Sequence, residues 1–512
     1  MSESETASPK RQHRLSWVLP ALAALRSTVV PAVLFVVFWQ GCSLGWLAVL
    51  FVVPAIVAGV ARHLTTTYTL APAELIVRRG VFSRNERRIR HTRIQNVDEV
   101  QGPVHRLLGL VSVRIETASG GQAEADLLLA PAAVEELRAS VFGTRDDEPA
   151  TTAEPPLLKL PAAELARLGL IRNRGMVVVA AIAGLAYQGF GDFTLDPWEY
   201  FGGWVMRLGS DIASGERVPP DLGIVTWIAG LVLLVLGVYL ILSVLSMTLA
   251  VLRFGGFTLS RQGDDLTARY GLLSRMRITV PRRRIQRLQV DESLFHRIWR
   301  RISIRLDTAG GREESDDATL QGADPTRGRQ WLAPVTTRAR LDDLVAAALP
   351  AASRQPLGSN PEAEAGGWRP VQARAVQRLF NRTSLLVLVV TFGLAWATRW
   401  SLVIPFIALP PVWWVGRRSI AARRYWPTAD ALWWRRGWPG RRLVVVPYDK
   451  IQSVGVTETP FDRRYGMAGV TVDTAGSGLF PAAQISYLDR EEARELARRL
   501  AREAGRSEFV WS

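Results

Sequence analysis

The chain has little of the chemistry that disulfide scaffolds, metal centres and redox sites require. Its 512 residues include one cysteine, Cys42, so an internal disulfide cannot form. Five histidines are present, and their spacing is not that of metal ligands. The sequence also contains no GxxxxGKS/T phosphate loop, no HExxH motif and no paired-cysteine pattern. We therefore predict that the protein is not an enzyme and needs no metal and no cofactor.

Lysine is also scarce, so the positive charge comes almost entirely from arginine. The only lysines are Lys10, Lys159 and Lys450, yet the formal net charge is +16 and the sequence pI is near 10.8. One interpretation is the compositional bias of a GC-rich genome. The other is a basic surface that favours an anionic partner. Since long apolar runs accompany the charge, we expect that partner to be anionic membrane lipid and not nucleic acid.

Charged residues are absent from six long apolar segments. A straight helix needs about 20 apolar residues to cross a bilayer, and several segments are shorter, so buried soluble helices remain an alternative. The segments come in pairs with short or modest linkers, which favours three membrane hairpins. The six segments are residues 27–39, 44–61, 176–190, 222–251, 384–397 and 401–415.

Basic residues concentrate on one side of these segments. The 191–221 loop on the other side is acidic on balance, and Arg399 is the one charge in a tight turn there. The positive-inside rule then predicts a multi-pass plasma-membrane protein with both termini and all soluble parts in the cytoplasm. The basic flanks include Arg26, Arg62, Arg172, Arg253, Arg382 and Arg417.

One soluble module occurs three times, each copy after a predicted hairpin. The copies contain Arg93-Ile94-Gln95, Arg284-Ile285-Gln286 and Lys450-Ile451-Gln452, each at the same distance from a preceding glycine. Apolar and polar residues alternate in the strand segments, as in residues 302–307, which indicates a sheet with one buried face. Each copy ends with a predicted helix, over residues 131–142, 336–349 and 489–503.

The predicted fold class is therefore membrane α-helical hairpins plus β-rich soluble modules. Each module is expected to be a small barrel or curled sheet closed by its C-terminal helix. Residues 157–174 form an amphipathic stretch, which either lies in the membrane interface or extends the following span. The predicted order is a tail (1–26), hairpin 1 (27–62), module 1 (65–143), hairpin 2 (157–253) with its outer loop (191–221), module 2 (257–349), a linker (350–367), hairpin 3 (368–418) and module 3 (425–505).

Two further motifs recur downstream of the basic-Ile-Gln tripeptides. The first is Pro/Leu-Val/Phe-x-Arg, at 103–106, 294–297 and 460–463, and the second is Asp/Glu-Thr-Ala, at 116–118, 307–309 and 473–475. This order resembles the bacterial pleckstrin-homology-like (PH-like) membrane family, the YdbS/YdbT-like proteins. The resemblance implies a PH-like barrel on the cytoplasmic face of the membrane and a non-catalytic role. Copy 3 departs from the pattern, because Asp462 stands where the other copies have His105 and His296.

Two sets of residues are candidate sites. The basic-Ile-Gln tripeptides either pack the module or contribute to a binding groove. The arginine clusters beside them either face anionic lipid, where each basic residue can contribute on the order of 1 kcal/mol, or form a solvated surface enriched by genome composition. The arginines predicted to face lipid are Arg87, Arg88, Arg90, Arg275, Arg277, Arg282, Arg283, Arg441 and Arg442.

The sequence thus predicts a non-catalytic membrane scaffold. Its three cytoplasmic modules would bind anionic lipid, another membrane or cytoplasmic protein, or both, in envelope maintenance. A transporter or channel component is the alternative. Solute pathways usually place polar or ionisable groups within the membrane, and the six apolar segments contain almost none, with Gln188, Ser243 and Thr391 as weak exceptions.

Overall fold

A computed structural model of the chain provides the fold. Arg93, the predicted segments 27–39 and 176–190, and the 191–221 loop lie outside the described residues, as does most of hairpin 1. The structure describes residues 65–80, 85–91, 94–117, 125–142, 155–172, 223–308, 330–350, 367–395, 403–475 and 481–506, and parts of 10–19 and 53–61.

The three modules have the same order of elements. Module 1 consists of β1 (Lys10–Arg11), β2 (Thr67–Leu70), β3 (Glu74–Arg79), β4 (Asn85–Arg90), β5 (Ile94–Gln101), α1 (Pro103–Leu107), β6 (Val111–Thr117), β7 (Ala125–Leu129) and α2 (Pro131–Phe142). Module 2 and its preceding helices consist of β8 (Leu158–Lys159), α3 (Ala162–Arg172), α4 (Gly223–Phe254), β9 (Thr258–Gln262), β10 (Asp265–Tyr270), β11 (Arg275–Pro281), β12 (Ile285–Glu292), α5 (Leu294–Ile298), β13 (Arg301–Thr308), β14 (Gln330–Thr337) and α6 (Leu341–Ala348). Module 3 and its preceding helices consist of β15 (Arg369–Pro370), α7 (Ala375–Ala395), α8 (Ile404–Ala421), β16 (Arg424–Pro427), β17 (Ala431–Arg436), β18 (Arg441–Pro447), β19 (Ile451–Thr457), α9 (Pro460–Arg464), β20 (Met467–Thr474), β21 (Ala483–Asp489) and α10 (Arg490–Arg506).

The repeated, β-rich modules are as expected from the alternating sequence, and one helix boundary differs. The helix predicted from Thr336 begins at Leu341 instead. Thr336 and Thr337 continue β14, where they pair with Ile302 and Arg301 of β13. β-Branched side chains such as threonine favour an extended strand over a helix.

The sheets are shared between modules, which differs from the expectation of three separate closed barrels. β5 to β7 of module 1 join β8 to β11 in one seven-stranded sheet, in the order β7-β6-β5-β11-β10-β9-β8. β12 to β14 of module 2 join β15 to β18 in the same way. No closed barrel is found among the described strands. Each module instead completes the open edge of the next module, which removes an unpaired strand edge.

The two junctions have the same register. At the first, Gln101 of β5 pairs with Arg275 of β11. At the second, Glu292 of β12 pairs with Arg441 of β18. Counted from the repeated glycines Gly80, Gly271 and Gly437, these two pairs occupy equivalent positions. Each module therefore pairs with the next one through equivalent residues, in the same register at both junctions.

The cores of modules 2 and 3 are continuous across their junction. Ala431, Trp433 and Val445 belong to module 3 but pack in the hydrophobic cluster of module 2, with residues such as Leu288 and Val290. A fully buried large apolar side chain contributes roughly 1.5–3 kcal/mol. Module 1 has a separate core around Leu75, Ile115 and Leu137, so strand pairing and polar contacts make up more of its junction with module 2.

Three long helices accompany the modules. Within the described residues, one stretch, Leu236–Phe254 of α4, is long and apolar enough to cross a bilayer. Many of its large apolar side chains are exposed, including Leu240 and Ile241. α7 and α8 pack against each other as an antiparallel pair, with exposed Phe392 and Phe406. The prediction of three membrane hairpins remains a prediction.

The amphipathic stretch before the third apolar segment is helical and is buried in the protein. Leu165, Leu168 and Ile171 of α3 have little exposure, and α3 packs along α4 and against β14. Gly169 permits this close approach, and the Ser246 hydroxyl donates a hydrogen bond of 2.7 Å to its carbonyl oxygen. The apolar face of α3 thus packs against α4 instead of lying in the membrane interface.

Candidate functional site

The isoleucine of each basic-Ile-Gln tripeptide packs in its own module. Ile94, Ile285 and Ile451 are buried. In module 2, Gln286 is also buried, and its side-chain amide donates to the Arg284 carbonyl at 3.2 Å. In module 3, by contrast, Gln452 is exposed. The tripeptides of modules 2 and 3 thus differ in environment, and their geometry supports packing more directly than a shared binding groove.

The histidine of the Pro/Leu-Val/Phe-x-Arg motif is a helix cap. At the start of α5, the Ser293 hydroxyl and His296 Nδ1 lie 2.8 Å apart, and the Ser293 amide donates to the same nitrogen at 3.3 Å. His296 Nε2 lies 2.8 Å from the Ser303 hydroxyl. Burial, with the positive charge of Arg172, lowers the pKa of His296 to about 4. The ring is therefore neutral and structural at physiological pH.

The same cap explains why Asp462 replaces histidine in module 3. The Thr459 amide donates to Asp462 Oδ2 at 3.0 Å, and the Thr459 hydroxyl donates to it at 2.6 Å. This is the same reciprocal capping box, with a carboxylate in place of the imidazole. Gly469 occupies the position equivalent to Ser303. The departure in sequence thus conserves the local fold.

The arginines predicted to face lipid occupy two kinds of position. Arg87, Arg88 and Arg90 are exposed on β4 of module 1. Arg88 donates to Glu86 at 2.8 Å, and this bond, with one from Arg78, holds the pKa of Glu86 below its usual value. The predicted arginines of modules 2 and 3 lie near the hairpin tips or at the far end of β11.

Arginines near the hairpin tips face the acidic strand of the preceding module. Arg277 lies 3.9 Å from Glu99 of β5, and burial lowers the pKa of Arg277. At the second junction, Arg442 Nε donates to Asp291 at 2.8 Å. Arg441 pairs in register with Glu292, and Arg275 is exposed at the equivalent place in β11. These arginines therefore contribute to holding the modules together.

Arg282 and Arg283 lie at the other end of β11, beside the basic-Ile-Gln tripeptide. Arg282 donates to Asp264 at 3.3 Å and to the Ala346 carbonyl at 3.4 Å. Arg283 is exposed. This end is separated from the hairpin tip by the length of β11.

Each short helix after the fifth strand of a module exposes apolar side chains. Leu107 of α1 is 87% exposed, Ile298 of α5 is 72% exposed and Phe461 of α9 is 70% exposed. An arginine of the motif lies within each helix, namely Arg106, Arg297 and Arg463. Large exposed apolar residues next to basic ones are typical of segments that lie at a membrane surface.

These short helices lie near the ends of the long apolar helices. Arg106 donates to the Leu272 carbonyl at the tip of the β10–β11 hairpin at 3.2 Å, and the Leu272 amide donates to Leu252 in the last turn of α4. Arg297 donates to the Pro439 carbonyl at the β17–β18 tip at 3.4 Å. In that tip, Trp438 packs edge-on against Trp414 of α8, with ring centroids 4.8 Å apart.

The third short helix is attached to α7 in a similar way. Arg378 forms an ion pair with Asp462 and donates to the Thr459 hydroxyl at 3.1 Å. Asn381 donates to the Tyr465 hydroxyl at 2.8 Å. Arg378 and Asn381 directly precede the apolar segment that begins at Ser384. Each module thus has a short helix with exposed apolar side chains, attached either to a long helix or to a hairpin tip that contacts one.

A cavity of about 490 Å³ lies at the junction of modules 2 and 3. It is bounded by β12, α5 and β13 of module 2 and by the β17–β18 hairpin tip of module 3. Its walls carry two carboxylates, Asp291 and Glu292, together with His296. Six arginines also line it, which are Arg172, Arg305, Arg423, Arg436, Arg441 and Arg442.

Of these arginines, Arg441 and Arg442 are among those that the sequence predicts to face lipid. The remaining arginines come from α3, β13, β17 and the segment after α8, and strand pairing between modules brings them together. The arginine repeats are the one signal that points to the hairpin tip. In the part of the chain that the structure describes, no three His, Cys, Asp or Glu side chains cluster as metal ligands would.

Comparison with known proteins gives the same threefold division. The sequence model of the bacterial PH domain matches residues 21–143, 219–333 and 380–504. The chain is 23% identical over 343 residues to the UPF0699 transmembrane protein YdbT of Bacillus subtilis (strain 168). That alignment covers 60% of this chain and 65% of the relative's length. No solved structure matches the chain.

Proposed function

Because this chain belongs to the bacterial PH domain family, we propose that it is a non-catalytic, multi-pass plasma-membrane scaffold with its modules in the cytoplasm. Three PH-like modules, joined by shared sheets in place of separately closed barrels, form one row along the inner face of the membrane. The row binds anionic lipid and provides a platform for a partner protein. The transmembrane description of the Bacillus relative supports the membrane location.

One observation carries this proposal: the same exposed apolar helix occurs in all three modules, each time beside the end of a long apolar helix. Leu107, Ile298 and Phe461 would otherwise expose large apolar surfaces to water. In the membrane interface their burial is favourable, by about 25 cal/mol for each Å² removed from water. The neighbouring arginines meet the headgroups, where anionic lipid attracts them.

This orientation separates five of the predicted lipid-facing arginines into two groups. Arg275, Arg441 and Arg442, near the hairpin tips, lie next to the bilayer. Arg282 and Arg283, like the basic-Ile-Gln tripeptides, lie at the far end of the module. We therefore propose lipid contact for the first group and contact with solvent or a partner protein for the second.

The orientation can be tested by depth-dependent fluorescence quenching on the full chain in lipid nanodiscs. Cys42→Ser removes the one native thiol, and Ile298→Cys then carries a fluorophore on α5. Nitroxide-labelled lipids should quench this label, and more strongly in anionic than in purely zwitterionic nanodiscs. Equal quenching in both lipids would contradict the role of lipid charge.

Arg506→Cys provides the matched control at the far end of module 3. β18 runs away from its hairpin tip to Tyr448, whose hydroxyl donates to the Thr428 carbonyl at 2.9 Å. Arg499 of α10 donates to the same carbonyl, which places the second half of α10 at that end. A label at residue 506 should escape quenching. Quenching at 506 but not at 298 would reverse the proposed orientation.

A further inference from the structure

Module 3 leaves one strand edge uncovered at the end of the row. In the described sheets, β19 pairs with β20 and has no strand on its other side. The equivalent strands of modules 1 and 2 are covered, because β5 pairs with β11 and β12 pairs with β18. Charged side chains usually protect an edge strand from pairing, and β19 has none. The row therefore ends with the kind of edge that holds the modules together elsewhere.

The apolar side chains of β19 repeat those of the covered strand β12. Counted from the isoleucine of each tripeptide, Val454 and Val456 are equivalent to Leu288 and Val290. Leu288 is fully buried and Val290 is 5% exposed, each opposite an apolar residue of β18. Val456, in contrast, is 40% exposed, and Val454 is partly exposed. Among the described residues, no strand covers these two valines as β18 covers their equivalents.

The acidic residue at the end of this edge has the same local partner as at the internal junction. Glu458 directly follows β19 and accepts from Arg490 at 2.9 Å. Glu292 ends β12 and accepts from Arg338 at 2.8 Å. Glu292 also lies opposite Arg441 of the next module. An arginine of an incoming strand would meet Glu458 in the same way.

The arginine of each Pro/Leu-Val/Phe-x-Arg motif lies beside these edges. Arg106 donates to the Leu272 carbonyl at 3.2 Å, and Arg297 donates to the Pro439 carbonyl at 3.4 Å. Both carbonyls belong to the hairpin tip of the next module, so both arginines cross a junction. The equivalent Arg463 is exposed, and its guanidinium has no hydrogen-bond partner among the described residues. It is free to donate to the hairpin tip of an incoming module.

A second copy of this chain does not fit the edge well. Its β4 is the equivalent of β11 and β18, and it is uncovered in the described sheets. In the junction register, Glu86 would lie opposite Val456 and Arg88 opposite Val454. Glu86 and Arg88 are exposed and already pair with each other at 2.8 Å. Because charged edge residues oppose pairing, the occupant is better sought in another protein.

We propose that the β19 edge binds the first sheet of a PH-like module in a different protein, by addition of a strand. The junction with β18 defines the chemistry of that strand. It runs antiparallel to β19, carries an arginine opposite Glu458 and places apolar residues opposite Val456 and Val454. Main-chain hydrogen bonds give such pairing its affinity, and alternate side chains give it specificity. This partner deepens the proposed scaffold function and rests on it for its place beside the membrane.

The probe is a synthetic peptide that copies residues 439–447, which include part of the hairpin tip and all of β18. Fluorescence anisotropy measures its binding to the full chain in detergent, with one peptide expected per chain. A control peptide carries Leu443→Glu and Val445→Arg, which copies the charges of β4 at the equivalent positions. It should bind at least about tenfold more weakly, because these charges would lie against the two valines.

Variants of the full chain locate the binding edge. Val456→Lys adds a charge to an exposed position of β19 and should weaken peptide binding about tenfold or more. Asn85→Lys is the matched control, because it adds the same charge to the uncovered edge of β4, and it should leave binding unchanged. Arg463→Gln should weaken binding severalfold. It should not affect a peptide shortened to residues 441–447, which lacks the tip carbonyls.

Hydrogen exchange on the full chain identifies any other occupant. In the chain alone, the β19 amides that point away from β20 should exchange rapidly, and the peptide should protect them. Protection in the monomeric chain without peptide would mean that a segment of this chain covers the edge. Protection only in oligomers that Val456→Lys dissociates would mean that a second copy covers it. Either result would overturn the proposal.

The binding outcomes are equally distinct. Binding of the 439–447 peptide that Val456→Lys and the charged control peptide both weaken supports the proposal. No binding, equal binding of the two peptides, or equal effects of Val456→Lys and Asn85→Lys would refute it. These measurements use no membrane, so the quenching of a label at residue 298 tests the scaffold proposal separately.

Discussion

His296 should make the stability of module 2 depend on pH in a predictable direction. Its ring caps α5 through Ser293 and contacts Ser303, and it does so as a neutral group. Burial, Arg172 and Arg305 disfavour the protonated ring, while Asp291 favours it, and the result is a pKa of about 4 against an ordinary value of 6.5. Protonation would also remove the acceptor that the Ser293 amide uses.

The sign follows from proton binding. Between pH 6.5 and 4 the unfolded chain binds a proton at this histidine and the folded chain does not, so stability falls as the pH drops through this window. The full shift corresponds to about 3 kcal/mol, of which about 1 kcal/mol is already lost at pH 5.5. Above pH 6.5 both states are neutral and the effect is absent.

The assay combines two measurements on the full chain in detergent. Carbon-13 labelling of histidine Cε1 gives the pKa of each histidine by NMR, and the His296 signal is assigned from its loss in a variant. Thermal unfolding from pH 7.5 to pH 5 gives the change in stability. The double variant His296→Asp with Ser303→Gly copies the pair found in module 3, so it should keep the cap and lose this part of the pH dependence. A His296 signal that titrates near 6.5 would refute the reasoning.

Three other changes test how the fold is held together. Gly169→Ala should destabilise the chain by about 1–3 kcal/mol, because the new Cβ would collide with the backbone of Met247. Gly237→Ala in α4 has nothing within 4 Å of the new Cβ and should not destabilise the chain, since alanine favours a helix over glycine; equal melting temperatures of the two variants would contradict this packing. Trp433→Ala should lower the free energy of unfolding by about 3–5 kcal/mol, because the indole is buried in the core of the neighbouring module. Arg442→Gln should lower it by at most about 1 kcal/mol, because its ion pair with Asp291 is partly exposed. Denaturant unfolding in which Arg442→Gln is the more destabilising variant would show that charge holds the junction. The double variant Glu86→Val, Arg88→Val should form head-to-tail oligomers in which β4 of one chain pairs with β19 of the next, as measured by light scattering. In the register of the internal junctions, the new valines would lie opposite Val456 and Val454. A double variant that stays the size of the wild type would exclude that pairing.

The repeat and its local structure could be predicted from sequence because both depend on near neighbours. The alternation in residues 302–307 corresponds to β13, and the isoleucines of the tripeptides are buried as a packing motif requires. In sequence, Asp462 departs from the motif because the other two copies have histidine at this position. In the structure its carboxylate accepts from the Thr459 amide and its own amide donates to the Thr459 hydroxyl, which are the two hydrogen bonds of a capping box.

The shared sheets and the cavity could not be predicted in this way. Which strand completes the edge of β5 or β12 depends on contacts between residues far apart in the chain, such as Asp291 and Arg442. Arg172, Arg305 and Arg423 lie in α3, in β13 and in the segment after α8, and no periodicity or spacing connects them. Their common location follows only from the pairing of modules, which no single repeat contains.

The constant register of the junctions also determines the orientation of the whole row. Successive strand residues point to opposite faces of a sheet, so a shift of one residue at either junction would turn the next module's faces over. With Gln101 opposite Arg275 and Glu292 opposite Arg441, each module repeats the placement of the one before it. The β10–β11 and β17–β18 tips then both meet a long helix, at Leu252 and at Trp414. Equal spacing in the three copies therefore gives every module the same orientation in the row, as the proposed contact with one membrane requires.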